Sequence, residues 1–226
     1  MPEIPYSARN FTHYKARFHS VSVNSNTGNN RYYSFERGLT HFIVFTAEAY
    51  VYSVDKGFIA NQVAFMKADL ASVDRKRTPW VVALVHKDWT MEAAAYADFS
   101  GVLEQGGVDI LYCGHVHYYN RYLPYDAVTG QTDTAAANAD GSVYTNPKYM
   151  VTIVSGASGD IEGDDGCGSD PRPSFTCSEN YGWGIFTPIN ATVATWNFHT
   201  VAADGPGPKA YSDSLTIVSD HRVSTL

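Results

Sequence analysis

Two stretches decide the fold: Trp80-Val81-Val82-Ala83-Leu84-Val85-His86 and Val108-Asp109-Ile110-Leu111-Tyr112-Cys113-Gly114-His115-Val116-His117. Each is a near-continuous apolar run that ends in histidine. An apolar run without alternation marks a strand buried on both faces, as in a parallel sheet with layers on either side. Working outward, Ile59, Val63, Met66, Leu70 and Val73 recur at spacings of three and four, which predicts an amphipathic helix before the first run. Ala95, Phe99, Val102 and Leu103 predict a second helix between the runs, stopped by Gly106 and Gly107. Two further strand-like runs, 31–36 and 41–46, lie upstream around Gly38. The order strand, helix, strand, helix, strand fits two successive crossovers and an α/β layered sheet.

The rest of the chain reads differently. The first thirty residues are polar and irregular, with a Ser/Asn/Gly loop over 24–30. Residues 129–142 read as a small-residue loop rich in Ala, Asp, Thr and Gly, 149–155 as a strand, and 156–173 as a long Gly/Asp/Pro loop. Runs 182–189, 192–199 and 215–219 predict a mostly antiparallel C-terminal part. No boundary separates a second independent domain, so residues 1–226 read as one unit.

Composition excludes several classes. The chain is 226 residues long with a net charge of −7, 44% hydrophobic and 17% charged residues, which is a globular balance. Sixteen Lys and Arg with no basic run argue against nucleic-acid binding. Apolar runs of about six residues fall far short of the about 20 that span a membrane. The start, Met1-Pro2-Glu3-Ile4-Pro5-Tyr6, has no basic patch followed by an apolar core and does not read as a signal peptide.

Three cysteines cannot all pair. Cys167 and Cys177 flank a Gly/Pro/Asp-rich loop and are placed to close it, a crosslink worth roughly 3 kcal/mol in the chain-entropy model. Cys113 ends an apolar run and reads as a buried free thiol. Asn10-Phe11-Thr12 and Asn190-Ala191-Thr192 match the N-glycosylation pattern. Together these features point to a secretory history, with any leader removed or outside these residues.

His86, His115 and His117 are the candidate chemistry-bearing residues. Each follows a predicted strand, and ligands in layered α/β proteins bind just beyond strand carboxyl ends. On an extended segment residues two apart face the same way, so His115 and His117 are expected to share one site. Gly114 is expected to let the backbone turn closely there. The remaining histidines read as surface or satisfied structural residues.

Gly114-His115-Val116-His117, followed by Tyr119 and Arg121, resembles the last signature of the purple acid phosphatases, members of the metallophosphoesterase superfamily. Tyr33-Ser34-Phe35 and His41-Phe42-Ile43-Val44 resemble a strand pair of that family. Thr78-Pro79-Trp80-Val81-Val82 leading to His86 resembles the segment that supplies a metal-binding histidine. Val154-Ser155-Gly156-Ala157 through Glu162-Gly163 resembles a loop near the mouth of its site. The runs 182–189 and 213–218 resemble its closing strands, so that the match extends from roughly residue 8 to 222.

The resemblance implies the second half of a layered α/β/β/α sandwich, with the first βαβ segments absent. It implies a dinuclear metal centre, ferric iron with zinc, manganese or iron, that hydrolyses phosphate monoesters. His86 and His115 would bind the divalent ion and His117 the ferric ion. It also implies an extracellular or vacuolar protein.

The departures are specific. The sequence contains no Gly-Asp-x-Gly and no Gly-Asn-His, the segments that bring the family's carboxylates, phenolate and amide. Gly163-Asp164-Asp165-Gly166 lies in a late loop and reads as surface. Asn120 replaces the family's usual Glu, and 87–97 lacks a second histidine, although Asp88, Trp89 and Tyr96 are present. Three neutral histidines offset none of the charge of a ferric–divalent pair, which a low-dielectric pocket needs balanced. No general acid can be named. Two readings follow: the histidine-bearing half of a phosphatase, inactive on its own, or a non-catalytic scaffold or binding subunit. Both expect a protein partner, because removing βαβ segments would leave one side of a parallel strand open to water.

Overall fold

The computed structural model describes residues 11–52, 56–88, 93–159, 163, 165–167, 172–201, 208–221 and 226. Asn10, Trp89, Glu162 and Asp164 lie outside them. In chain order the described elements are α1 (Thr12–Arg17), α2 (His19–Asn24), β1 (Tyr33–Arg37), β2 (Thr40–Val44), α3 (Glu48–Tyr52), α4 (Lys56–Ala71), β3 (Trp80–Val85), α5 (Ala93–Gln105), β4 (Ile110–Cys113), β5 (Tyr119–Tyr122), β6 (Val143–Thr145), β7 (Val151–Ser155), β8 (Ser174–Ser178), β9 (Gly182–Pro188), β10 (Val193–Val201) and β11 (Pro208–Val218).

A seven-stranded sheet in the order β1-β2-β3-β4-β7-β5-β8 packs against a four-stranded sheet in the order β6-β11-β10-β9. The strands β2, β3, β4 and β7 run parallel, with α4 and α5 as crossovers. The expected two crossovers are therefore present. Strand β3 shows why its run is unbroken. Val81, Ala83 and Val85 pack on the helix side with Met66, Leu70, Phe99 and Leu103. Trp80 and Val82 pack on the other face with Tyr144, Trp196, Phe198 and Ile217 of the second sheet. Both faces are buried, so neither tolerates polar alternation.

Helix α4 differs from the expected stripe. Its buried face includes Gln62 and Asp69 as well as Phe58, Met66 and Leu70. Gln62 pairs with the Thr46 backbone, accepting from its N–H at 3.0 Å and donating to its carbonyl at 3.0 Å. Asp69 accepts from Ser34 Oγ at 2.5 Å and lies 2.8 Å from His41 Nε2. These polar residues tie the helix to the β1–β2 hairpin and dilute the apolar period.

One other expectation is corrected. The first thirty residues are not wholly irregular: α1 and α2 occupy 12–17 and 19–24, both without buried residues. Strand β2 is flanked by β3 on one side and on the other by β1, its antiparallel neighbour from Tyr33↔Val44 to Arg37↔Thr40. The sheets end at β1 and β8 and at β6 and β9, and among the described residues β9 pairs with β10 alone. Its Trp183 and Ile185 are exposed.

Arg121 joins the two sheets. It is 1% exposed and donates from Nε and Nη2 to the two carboxylate oxygens of Asp213, both at 2.7 Å. Its Nη1 donates to Gly141 O at 3.0 Å and Tyr144 Oη at 2.8 Å. Such fork-to-fork pairing suits a planar guanidinium. No helix among the described residues is long and apolar enough to cross a membrane.

Candidate metal centre

The strands β3 and β4 end side by side and deliver His86 and the 114–117 segment to one edge of the sheet. The Gly114 N–H donates to the His86 carbonyl at 2.8 Å, which locks the two strand ends together. The imidazoles of His86 and His115 lie 5.2 Å apart between centroids, with their planes 74° from parallel.

The segment after β4 is not extended, which corrects the expected geometry of His115 and His117. His115 has φ of 69°, a left-handed conformation that is costly for a non-glycine residue. Val116 N donates to Gly114 O at 2.8 Å and Tyr118 N to Val116 O at 2.9 Å, two successive three-residue turns. His115 meets His86, whereas His117 meets a different loop. Its N–H donates to Asp165 Oδ2 at 2.7 Å, and its Nδ1 lies 3.2 Å from Gly163 O. Asp165 is exposed, as expected of a surface loop, yet it contacts the candidate site.

The close-approach glycine is also not the expected one. A Cβ on Gly114 would meet its nearest neighbour, His86 O, at an ordinary 3.7 Å. A Cβ on Gly156 would fall 2.0 Å from Val116 O. Gly156 thus allows β7 to run under the histidine turn. Its place in the Val154–Ala157 stretch was visible in the sequence, but nothing there showed what it approaches.

A cleft of about 810 Å³ opens beside the site, between the carboxyl ends of β2, β3 and β4 and the edge strand β9. Val44, Leu84, His86, Tyr112, Trp183 and Phe186 are among its lining residues. Glu48, at the start of α3, also lines it. Burial pulls the His115 imidazole below its ordinary pKa, and the neighbouring His86 and Lys87 add to this against the opposing charges of Glu48 and Asp165. A neutral imidazole is the form that binds a metal. Sequence reading missed Glu48, because its helix is one turn long and has no periodic signal.

The other flagged residues have structural partners. Asp88 is 2% exposed and its Oδ2 lies 2.5 Å from Arg172 Nη2, so its charge is not presented to an anion. Asn120 is buried and accepts from Ser174 Oγ at 2.5 Å across β5 and β8. Cys113 is a buried free thiol. Cys167 and Cys177 are joined in a disulfide, with Cα atoms 6.0 Å apart.

Residues 149–206 match the family model described as iron/zinc purple acid phosphatase-like protein C. An acid phosphatase of Aspergillus ficuum is 29% identical over 97% of this chain and 42% of its own length. Purple acid phosphatase 18 of Arabidopsis thaliana is 30% identical over 90% of this chain and 44% of its own length. The chain belongs to the purple acid phosphatase family. The solved purple acid phosphatase PPD1 of yellow lupin (Lupinus luteus) shares the fold, with a TM-score of 0.65 at 23% identity over 84% of this chain and 33% of that one. GAP50, described as the anchor in the inner membrane complex of Plasmodium, has a TM-score of 0.55 at 14% identity over 81% of this chain and 55% of that one. The chain spans less than half the length of these two curated relatives.

The family implies a dinuclear metal centre, and the donors present fit part of one. His86 and His115 are adjacent imidazoles. Glu48 Oε1 is buried and has no hydrogen-bond partner among the described residues, as expected of an oxygen left facing a cation or donor. Yet no group of three or more His, Cys, Asp or Glu among the described residues is placed to hold a metal ion. A complete ferric–divalent pair does not fit these donors.

Proposed function

We propose that this chain is the histidine-bearing half of a metal-dependent phosphate-monoester hydrolase. His86 and His115 would serve one divalent ion and His117 a second metal, with the carboxylate ligands supplied from outside these 226 residues. The observation that carries this reading is the His86–His115 pair, 5.2 Å apart at the ends of adjacent parallel strands. In such a centre the metals would activate water and stabilise charge on phosphorus. The chain's own residues would orient the ligands. The Gly114–His86 backbone bond and the turn at His115 fix the ring pair, and Gly163 and Asp165 face His117.

The cleft supports the expectation of a polypeptide partner. Tyr112 Oη and Glu48 Oε1 line it without hydrogen-bond partners among the described residues, and the open edge of β9 borders it. An edge strand beside an apolar groove is suited to accept another strand. The disulfide supports an oxidising, extracellular or vacuolar location, and the exposed Asn190 is a candidate glycosylation site.

A second reading, a non-catalytic scaffold, draws on the missing third ligand and on Asn120, whose amide is engaged with Ser174. Zinc titration of the purified chain by calorimetry, beside a phosphate-monoester assay, separates the two. The half-site reading expects zinc binding that His86→Ala and His115→Ala each abolish, without turnover. No zinc binding leaves the scaffold reading, and turnover by the chain alone overturns both.

A further inference from the structure

We infer that Gly163 and Asp165 are positioning residues for His117, and that Arg172 and the Cys167–Cys177 disulfide hold them in place. The inference rests on the reading of His117 as a metal ligand. Its physical content concerns the ring itself, whether or not metal is bound.

The contact with Gly163 sets the tautomer. A carbonyl oxygen accepts and never donates, so a hydrogen bond across the 3.2 Å between Gly163 O and His117 Nδ1 requires the proton on Nδ1. The ligand lone pair then resides on Nε2. A metal-binding histidine is commonly fixed this way, through a carbonyl on its other ring nitrogen. Asp165 holds the backbone of the same residue. Its carboxylate accepts the His117 N–H at 2.7 Å, and its own N–H points back to His117 O at 3.4 Å.

Gly163 and Asp165 need external ties. Gly163 and Gly166 have φ of 88° and 77°, conformations that glycine enters and leaves freely. The first tie is at Cys167, which is bonded covalently to β8 at Cys177 and donates its N–H to Glu179 Oε1 at 2.8 Å. The second is at Arg172. Its guanidinium pairs with Asp88 at 2.5 Å and lies 4.3 Å from the centre of the Tyr122 ring. Asp88 stands two residues past His86, so the strand end that carries one candidate ligand also anchors the residues that orient another. A buried ion pair is an inefficient way to gain stability alone, since packed apolar residues usually serve as well. A role in fixing geometry accounts for one at this position.

The test is long-range 15N–1H NMR of the histidine rings in the full chain at fixed pH, without metal. Wild type is expected to show His117 protonated on Nδ1. Arg172→Ala, Asp165→Ala and the Cys167→Ser/Cys177→Ser double variant are each expected to lose that signature. Asp165 is exposed, so its variant keeps the test available if the others do not fold. A wild-type His117 protonated on Nε2, or an unchanged tautomer in the folded variants, overturns the inference. Loss of metal binding at His117 would count against the functional reading and leave the tautomer result intact.

Discussion

Replacing Arg121 by Leu is predicted to be among the most damaging substitutions away from the histidines. The guanidinium is 1% exposed, and its partner Asp213 has an 11% exposed side chain. Removing Arg121 leaves that carboxylate with the Tyr119 hydroxyl as its remaining side-chain donor, at 2.5 Å, and strips a donor from Gly141 O. Deleting one partner of a buried pair costs about 3–5 kcal/mol, because the other charge stays buried. For a domain of this size that corresponds to a fall in Tm of roughly 6–20 °C, at about 2–4 °C per kcal/mol. Adding Asp213→Leu should restore most of the loss, since it removes the orphaned charge. Burial raises the Asp213 pKa, but the hydrogen bonds and charge of Arg121 outweigh it and hold the carboxyl below its ordinary value. The wild-type pair therefore stabilises above the unfolded carboxylate pKa, and this contribution is lost as pH falls through the lowered folded value. The assay is thermal unfolding by circular dichroism from pH 3 to 7 across the double-mutant cycle. A loss below about 1 kcal/mol for Arg121→Leu, the range of an exposed ion pair, would refute the reasoning. So would a double variant as unstable as the sum of the singles.

His221 gives a prediction of opposite sign. Burial lowers its pKa, but the hydrogen bond and charge of Asp109 raise it further, so the net shift is upward. Its stabilisation is full below the ordinary histidine pKa and is lost as pH rises through the raised folded value. His221→Ala should therefore cost about 1.5–3 kcal/mol in mild acid and progressively less above neutrality, as read by denaturant unfolding. Gly156→Ala should cost about 1–3 kcal/mol and shift the His115 and His117 NMR signals, because the new Cβ meets Val116 O at 2.0 Å; Gly114→Ala, with its nearest contact at 3.7 Å, should do neither.

The parallel core was legible because burial on both faces imposes the unbroken runs of β3 and β4, and because alternation of helix and strand leaves few topologies. The strands β5, β6 and β8 were not. They are short, and their residues are fixed by partners distant in sequence, such as Arg121 by Asp213 and Asn120 by Ser174. The three histidines were visible as residues that follow strands. Their local backbone geometry was not, because it depends on one positive φ at His115 and on a glycine some forty residues away, at 156. The Gly-Asp-Asp-Gly run was read as surface because composition carries no information about which main chain a loop touches. Family membership rests on strand order and signature together.

The most direct test of the half-site is zinc-edge X-ray absorption on the chain loaded with one equivalent of zinc. The account predicts the multiple-scattering pattern of imidazole, with ring nitrogens at about 2.0–2.1 Å, and loss of that pattern in the His86→Ala/His115→Ala double variant. An oxygen shell without imidazole, or the same spectrum in that variant, would contradict it.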